Sequence, residues 1–133
     1  MGKLHVFRLT RGMDLLNEIK SFCQHENIMA GTVLSSVGCV YRARIRDASG
    51  VDINEINDNM EIISLDGTVS KNRCHLHIAF SKNDLSVIGG HLCEGCLINT
   101  TCEIVIMEFD GYEFSKEFDG NTGYDELVVY YHK

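Results

Sequence analysis

An α+β fold, mainly antiparallel β-sheet with one clear N-terminal helix, is the class this sequence predicts, on three observations. A single segment near the start carries apolar residues at helical spacing. Most of the remaining chain is a series of short runs rich in Val and Ile, punctuated by Gly, Asn and Asp. No proline occurs in the 133 residues, so turns rest on those three residue types. With no repeat, low-complexity run or linker, residues 1–133 read as one domain, of a size that buries a core without disulfide or metal. A bound metal would therefore be functional rather than a requirement of folding.

Leu4, Val6 and Arg8 alternate with His5, Phe7 and Leu9, predicting an opening strand over about 3–10. Asp14 is a candidate N-cap, and Leu15, Leu16, Ile19, Phe22 and Cys23 form one apolar helical face. That helix should end near Glu26-Asn27, with Ile28 re-entering the core. Thr32 to Ile45 reads as strand, and Gly38 within it marks a bulge or a close backbone approach. Met60 to Val69 is a strand with a kink or turn at Asp66-Gly67. Arg73 to Ser81 and Leu85 to His91 flank a hairpin turn at Lys82-Asn83-Asp84. Ile98 to Phe109 is apolar on both faces, Ile104 and Ile106 on one and Val105 and Met107 on the other, which predicts burial on both sides. Tyr112 to Phe118 and Glu126 to Tyr131 complete the sheet, for about eight strands in all.

Charge narrows the partners. The formal net charge is −7, from 12 basic against 19 acidic residues, and an acidic surface repels nucleic-acid backbones. Arg42, Arg44 and Arg46 alternate along a strand and share a face, which reads as a solvated basic stripe. No N-terminal stretch has the apolar core of a signal peptide, and no run approaches a transmembrane span. A cytoplasmic protein is expected, with its six cysteines mostly reduced.

The informative segment is Cys74-His75-Leu76-His77-Ile78-Ala79-Phe80, followed by Val87-Ile88-Gly89-Gly90-His91. Residues two apart on a strand point the same way, so His75 and His77 share one face while Leu76, Ile78 and Phe80 face the core. A turn centred on Asn83-Asp84 would pair Leu76 with His91 and aim His91 the wrong way. A bulge at Gly89-Gly90 would correct this and bring His91 opposite His77. Three converging imidazoles form a metal site with at least one open position, suited to zinc and also to nickel, copper, cobalt or iron. Histidines on a strand can equally be surface or hydrogen-bonded groups. His5, His25 and His132 lie outside the cluster.

Other chemistry is less well supported. Cys93-Glu94-Gly95-Cys96 is a C-x2-C motif, but structural zinc wants four ligands and a redox pair wants a βαβ setting. The plainer reading packs Cys93 in the core and opens a strand at Cys96. Ser35, Ser36 and Ser64 have no nucleophile elbow around them, and Gly89-Gly90 is too short for a phosphate loop. Glu94 and Glu103 are the carboxylates that could approach the histidines, each more readily a surface or turn residue.

An ordered series of motifs carries a family likeness over nearly the whole chain. It comprises Leu9-Thr10-Arg11-Gly12, Ser36-Val37-Gly38, Glu61-Ile62-Ile63-Ser64-Leu65-Asp66-Gly67, His75-Leu76-His77, Val87-Ile88-Gly89-Gly90-His91-Leu92, Cys96 to Ile106, and Asp119-Gly120-Asn121-Thr122-Gly123-Tyr124-Asp125-Glu126-Leu127. Together these resemble the prokaryotic single-domain type of the plants and prokaryotes conserved (PPC) domain. The resemblance implies a sheet-based α+β domain, a homotrimer, and a zinc site with His75, His77 and His91 as ligands. In plants the domain accompanies AT-hooks, which gives prokaryotic members their label of predicted DNA-binding protein. An AT-hook needs a proline that this chain lacks. The expected function is thus a metal-binding homotrimeric module, zinc foremost, with room for a small ligand. The alternatives are a DNA-associated assembly protein without catalysis and a small metal-dependent enzyme.

Overall fold

The computed structural model describes residues 2–132, and its class is the expected one: antiparallel sheet with a single helix near the N-terminus. β1 (Lys3–Thr10) leads into α1 (Leu15–His25). Asp14 caps the helix, its Oδ1 accepting the Asn17 N–H at 3.1 Å. Leu15, Leu16, Ile19 and Cys23 point into the core, and Phe22 at the margin stacks on Phe7 with ring centroids 4.1 Å apart. The helix stops where Asn27 takes a left-handed φ of 53°, and Ile28 returns to full burial.

From there the chain is strand: β2 (Gly31–Arg46), β3 (Ile53–Ile56), β4 (Met60–Val69), β5 (Cys74–Ser81), β6 (Val87–Leu92), β7 (Leu97–Glu108), β8 (Tyr112–Asp119) and β9 (Tyr124–Tyr131). The main sheet runs β1-β7-β2-β4-β5-β6, with β3 paired to β2. β2 is long enough, at 16 residues, to serve several partners along its length. Its last residues also pair with β6, Ile45 with Leu92 and Arg46 with His91. That contact closes β2, β4, β5 and β6 into a ring. Val40, Leu76, Phe80, Leu92, Ile98, Ile104 and Ile106 are among the fully or almost fully buried side chains, each worth about 1.5–3 kcal/mol of transfer free energy.

Four expectations are corrected. β8 and β9 do not complete the main sheet; they form a separate two-stranded one. β3 is not among the expected strands, because Ile53-Asn54-Glu55-Ile56 has no buried side chain and so no alternating core pattern. Asp66-Gly67 is not a turn: β4 runs through it, and Gly67 serves a close approach, since a Cβ there would lie 1.9 Å from the His75 carbonyl oxygen. β7 buries Ile104 and Ile106 completely, but Val105 and Met107 on its other face are only half-buried. Gly38 does mark a close approach, with a would-be Cβ 2.4 Å from the Thr101 carbonyl oxygen beside a register shift in the β2–β7 ladder. Among the described residues, no helix is long and apolar enough to cross a membrane.

Candidate metal centre

β5 alternates as its sequence requires. Leu76, Ile78 and Phe80 are buried, so His75 and His77 turn outward together. His91 lies directly opposite His77 in the β5–β6 ladder, but not through the expected bulge. The register is regular from Ser81–Val87 to His77–His91, straight through Gly89-Gly90. The extra residue is absorbed in the turn, where Leu85 takes a left-handed φ of 69° and the Lys82 and Ser86 backbones close the loop at 2.9 Å. Gly90 serves another purpose. A Cβ there would stand 2.5 Å from the Arg46 carbonyl oxygen, so its bare Cα lets the end of β2 reach β6.

The three imidazoles meet. Ring centroids are 5.2 Å apart for His75 and His77, 5.3 Å for His75 and His91, and 5.8 Å for His77 and His91. One nitrogen from each falls in a set whose members lie within 4.8 Å of one another. A tetrahedral zinc with nitrogens at ~2.0–2.1 Å holds them roughly 3.4 Å apart, so only small side-chain rotations separate the two arrangements. The orphaned Nδ1 of His91 is a second sign of fit: it is buried and has no hydrogen-bond partner, a costly state that a metal or its ligand would relieve.

Electrostatics favours the form a metal needs. Burial, reinforced by the Arg46 charge and the neighbouring rings, pushes the His91 pKa down to about 4. His75 is also lowered, by burial first and the Arg73 charge second. Both rings are therefore neutral at pH 7, with a lone pair to give. Arg73 already claims one of them, its Nη2 lying 3.3 Å from His75 Nδ1. A guanidinium only donates, so this contact uses the Nδ1 lone pair and leaves the ring proton on Nε2. A metal at Nδ1 competes with Arg73 directly. A metal at Nε2 requires the proton on Nδ1, facing Arg73. Loading must displace the guanidinium in either case.

The pairing places further groups around the histidines. Residues opposite one another in an antiparallel ladder share a face. Asp66 opposes His77, which opposes His91, which opposes Arg46, one row across β4, β5, β6 and β2. Thr68 opposes His75. Asp66, Thr68, Arg73 and Glu126 border a cleft with His75 and His77. Sequence reasoning misses this shell. Arg46 does not share the solvated stripe expected for it with Arg42 and Arg44. Those two turn to Glu55, whose carboxyl they hold below the usual range, the Arg42 hydrogen bond acting most strongly. Arg46 instead stands opposite His91 in the β2–β6 ladder, its guanidinium over the Tyr124 ring. The signal for Arg73 is local, since it lies two residues before His75 and so on the same face.

The competing candidates fall elsewhere. Cys96 is fully buried, hydrogen-bonded to the Arg44 carbonyl oxygen at 3.3 Å, its pKa pushed up to about 11 by burial. Cys93 is half-buried beside the His91 carbonyl oxygen, and neither thiol joins the histidine cluster. Glu94 lies 3.9 Å from Lys20, and Glu103 is exposed on β7. Of the outlying histidines, His5 is not a surface group: it is buried and bonded to Glu108 at 2.7 Å.

The chain's relatives agree with this architecture. A bifunctional protein GlmU from Synechococcus sp. (strain JA-3-3Ab) is 39% identical over 130 residues, 96% of this chain. The match is 21% of that protein, so the chain spans about a fifth of the curated relatives' length. A hypothetical protein from Salmonella enterica superposes with a TM-score of 0.94 at 29% identity, covering 98% of this chain and 95% of its own. A metal-containing protein from Archaeoglobus fulgidus does so with a TM-score of 0.81 at 30% identity, covering 96% and 94%. The model of the Plants and Prokaryotes Conserved (PCC) domain, the PPC domain of the sequence resemblance, matches residues 1–110. The chain belongs to that family.

Proposed function

We propose that this protein binds one divalent transition metal, zinc foremost, through His75, His77 and His91, and uses the remaining coordination position to hold a small ligand. The observation that carries the reading is the convergence of three imidazoles, with His91 Nδ1 buried and unpartnered among them. The metal-containing relative from Archaeoglobus fulgidus supports it. When bound, such an ion supplies a Lewis acid that polarises a ligand oxygen or acidifies water. Glu126 and Asp66 border the same cleft and are the carboxylates positioned to receive a proton there.

Assembly as a cytoplasmic homotrimer belongs to the same reading. The outer face of the β1–β7 pair supports it: Leu4 opposes Met107 and Val6 opposes Val105. Leu4 is 55% and Val6 72% exposed in the isolated chain, an apolar face of the kind a symmetric contact covers. The experiment is elemental analysis of protein purified without a His-tag or chelator, beside His77→Ala. About one zinc per chain in the native protein and none in the variant supports the site. Metal-free native protein that remains so in added zinc removes it.

A further inference from the structure

The ring closure that positions His91 also delivers an arginine. Arg46 opposes His91 across the β2–β6 contact. Its guanidinium stacks over the Tyr124 ring at 5.6 Å, and Tyr124 is itself held by a hydrogen bond from its hydroxyl to the Gly50 carbonyl oxygen at 3.2 Å. Among the described residues no carboxylate lies within ion-pair distance of Arg46. Its Nε is buried with no hydrogen-bond partner. A buried charged donor without an acceptor is costly and is normally satisfied by something. Across the histidines stands Arg73, with 13% side-chain exposure, 3.9 Å from Glu126 and in the place a metal must clear.

Arg46, Arg73, His75, His91, Asp125 and Glu126 border one cleft of about 290 Å³. Two arginines and two carboxylates leave that cleft with no net charge when the rings are neutral. A divalent ion at the histidines adds two positive charges beside it. The fork of a guanidinium matches the paired oxygens of carboxylate and phosphate. Resting on the metal reading above, we propose that the ligand of the open coordination position is a small oxyanion, one oxygen on the metal and the others held by Arg46 and Arg73. The arginines and the ion are then complementary parts of one anion site. The metal frees Arg73 from His75, and the oxyanion satisfies the donor that Arg46 leaves unpaired.

Cobalt(II)-loaded protein tests this, because its visible spectrum changes when an anion replaces water on the ion. Acetate and inorganic phosphate are titrated at constant ionic strength into the native protein, Arg46→Met and Arg73→Met. The expected result is saturable binding to the native protein. Each variant should take up one cobalt per chain, Arg73→Met at least as tightly as native, yet bind the anion at least tenfold more weakly. The tighter of acetate and phosphate identifies the source of the oxyanion. Variants that load cobalt and bind both anions with native affinity would overturn the inference while leaving the metal reading intact. Native protein that takes up no cobalt would overturn the metal reading, and this inference with it.

Discussion

Replacing Gly90 by alanine tests how the fold builds the site. The added Cβ would stand 2.5 Å from the Arg46 carbonyl oxygen and 3.4 Å from Ile45 Cβ. Gly90 has no left-handed φ, so alanine is not strained by its own backbone, and the effect comes from contact alone. The clash is with main chain, which cannot rotate away. Restoring an ordinary 3.4 Å contact requires β6 and the end of β2 to part by roughly 0.9 Å. The β2–β6 contact has only two residue pairs, Ile45–Leu92 and Arg46–His91, so it has little to resist with. Overpacking of this kind costs about 1–3 kcal/mol, a fall of ~3–10 °C in Tm for a domain of this size. The functional cost should be larger. Metal–ligand distances tolerate about ±0.2 Å, and the displaced strand carries His91, so zinc affinity should fall at least tenfold. Thermal unfolding and zinc competition against a chromophoric chelator measure the two effects. Gly120→Ala, with nothing within 4 Å of its Cβ, is the control and should change neither. A Gly90→Ala protein with native Tm and native zinc affinity would refute the ring closure as the device that positions His91.

Asp14 holds two elements at once, capping α1 through Asn17 N–H and accepting the Gly95 N–H at 2.6 Å. Asp14→Ala should cost about 1–2 kcal/mol by denaturant titration, with zinc affinity unchanged. Cys96 should resist iodoacetamide in the native state and react only on unfolding, as its burial and raised pKa require; mass spectrometry of the labelled peptides would expose the opposite result. Chelator should remove metal without unfolding the protein, because the core is built without it. Circular dichroism should then show the native spectrum, with stability lower by about 2.7 kcal/mol than at zinc one hundred times its Kd.

Local pattern carries most of the fold. Asp14, the apolar face of α1 and the alternation in β5 all concern residues close in sequence, and their structural consequences match. The illegible parts depend on pairing between distant segments. Nothing local in Tyr112 to Tyr131 says that β8 and β9 leave the main sheet. The loop at Asn83-Asp84-Leu85 hides its extra residue, because a left-handed leucine is a poor guess beside two glycines that look made for a bulge. The histidine triad is legible because two of its members share a strand and the third is one hairpin away. Arg46 and Glu126 are not, because only the β2–β6 contact and the β8–β9 hairpin bring them there.

X-ray absorption at the zinc edge, on protein loaded with one equivalent of zinc, tests the central claim most directly. The account predicts a first shell of three imidazole nitrogens at about 2.0–2.1 Å plus one oxygen ligand, with the imidazole signature reduced in His91→Ala. A sulfur shell at about 2.3 Å would place the metal on cysteines instead and contradict it.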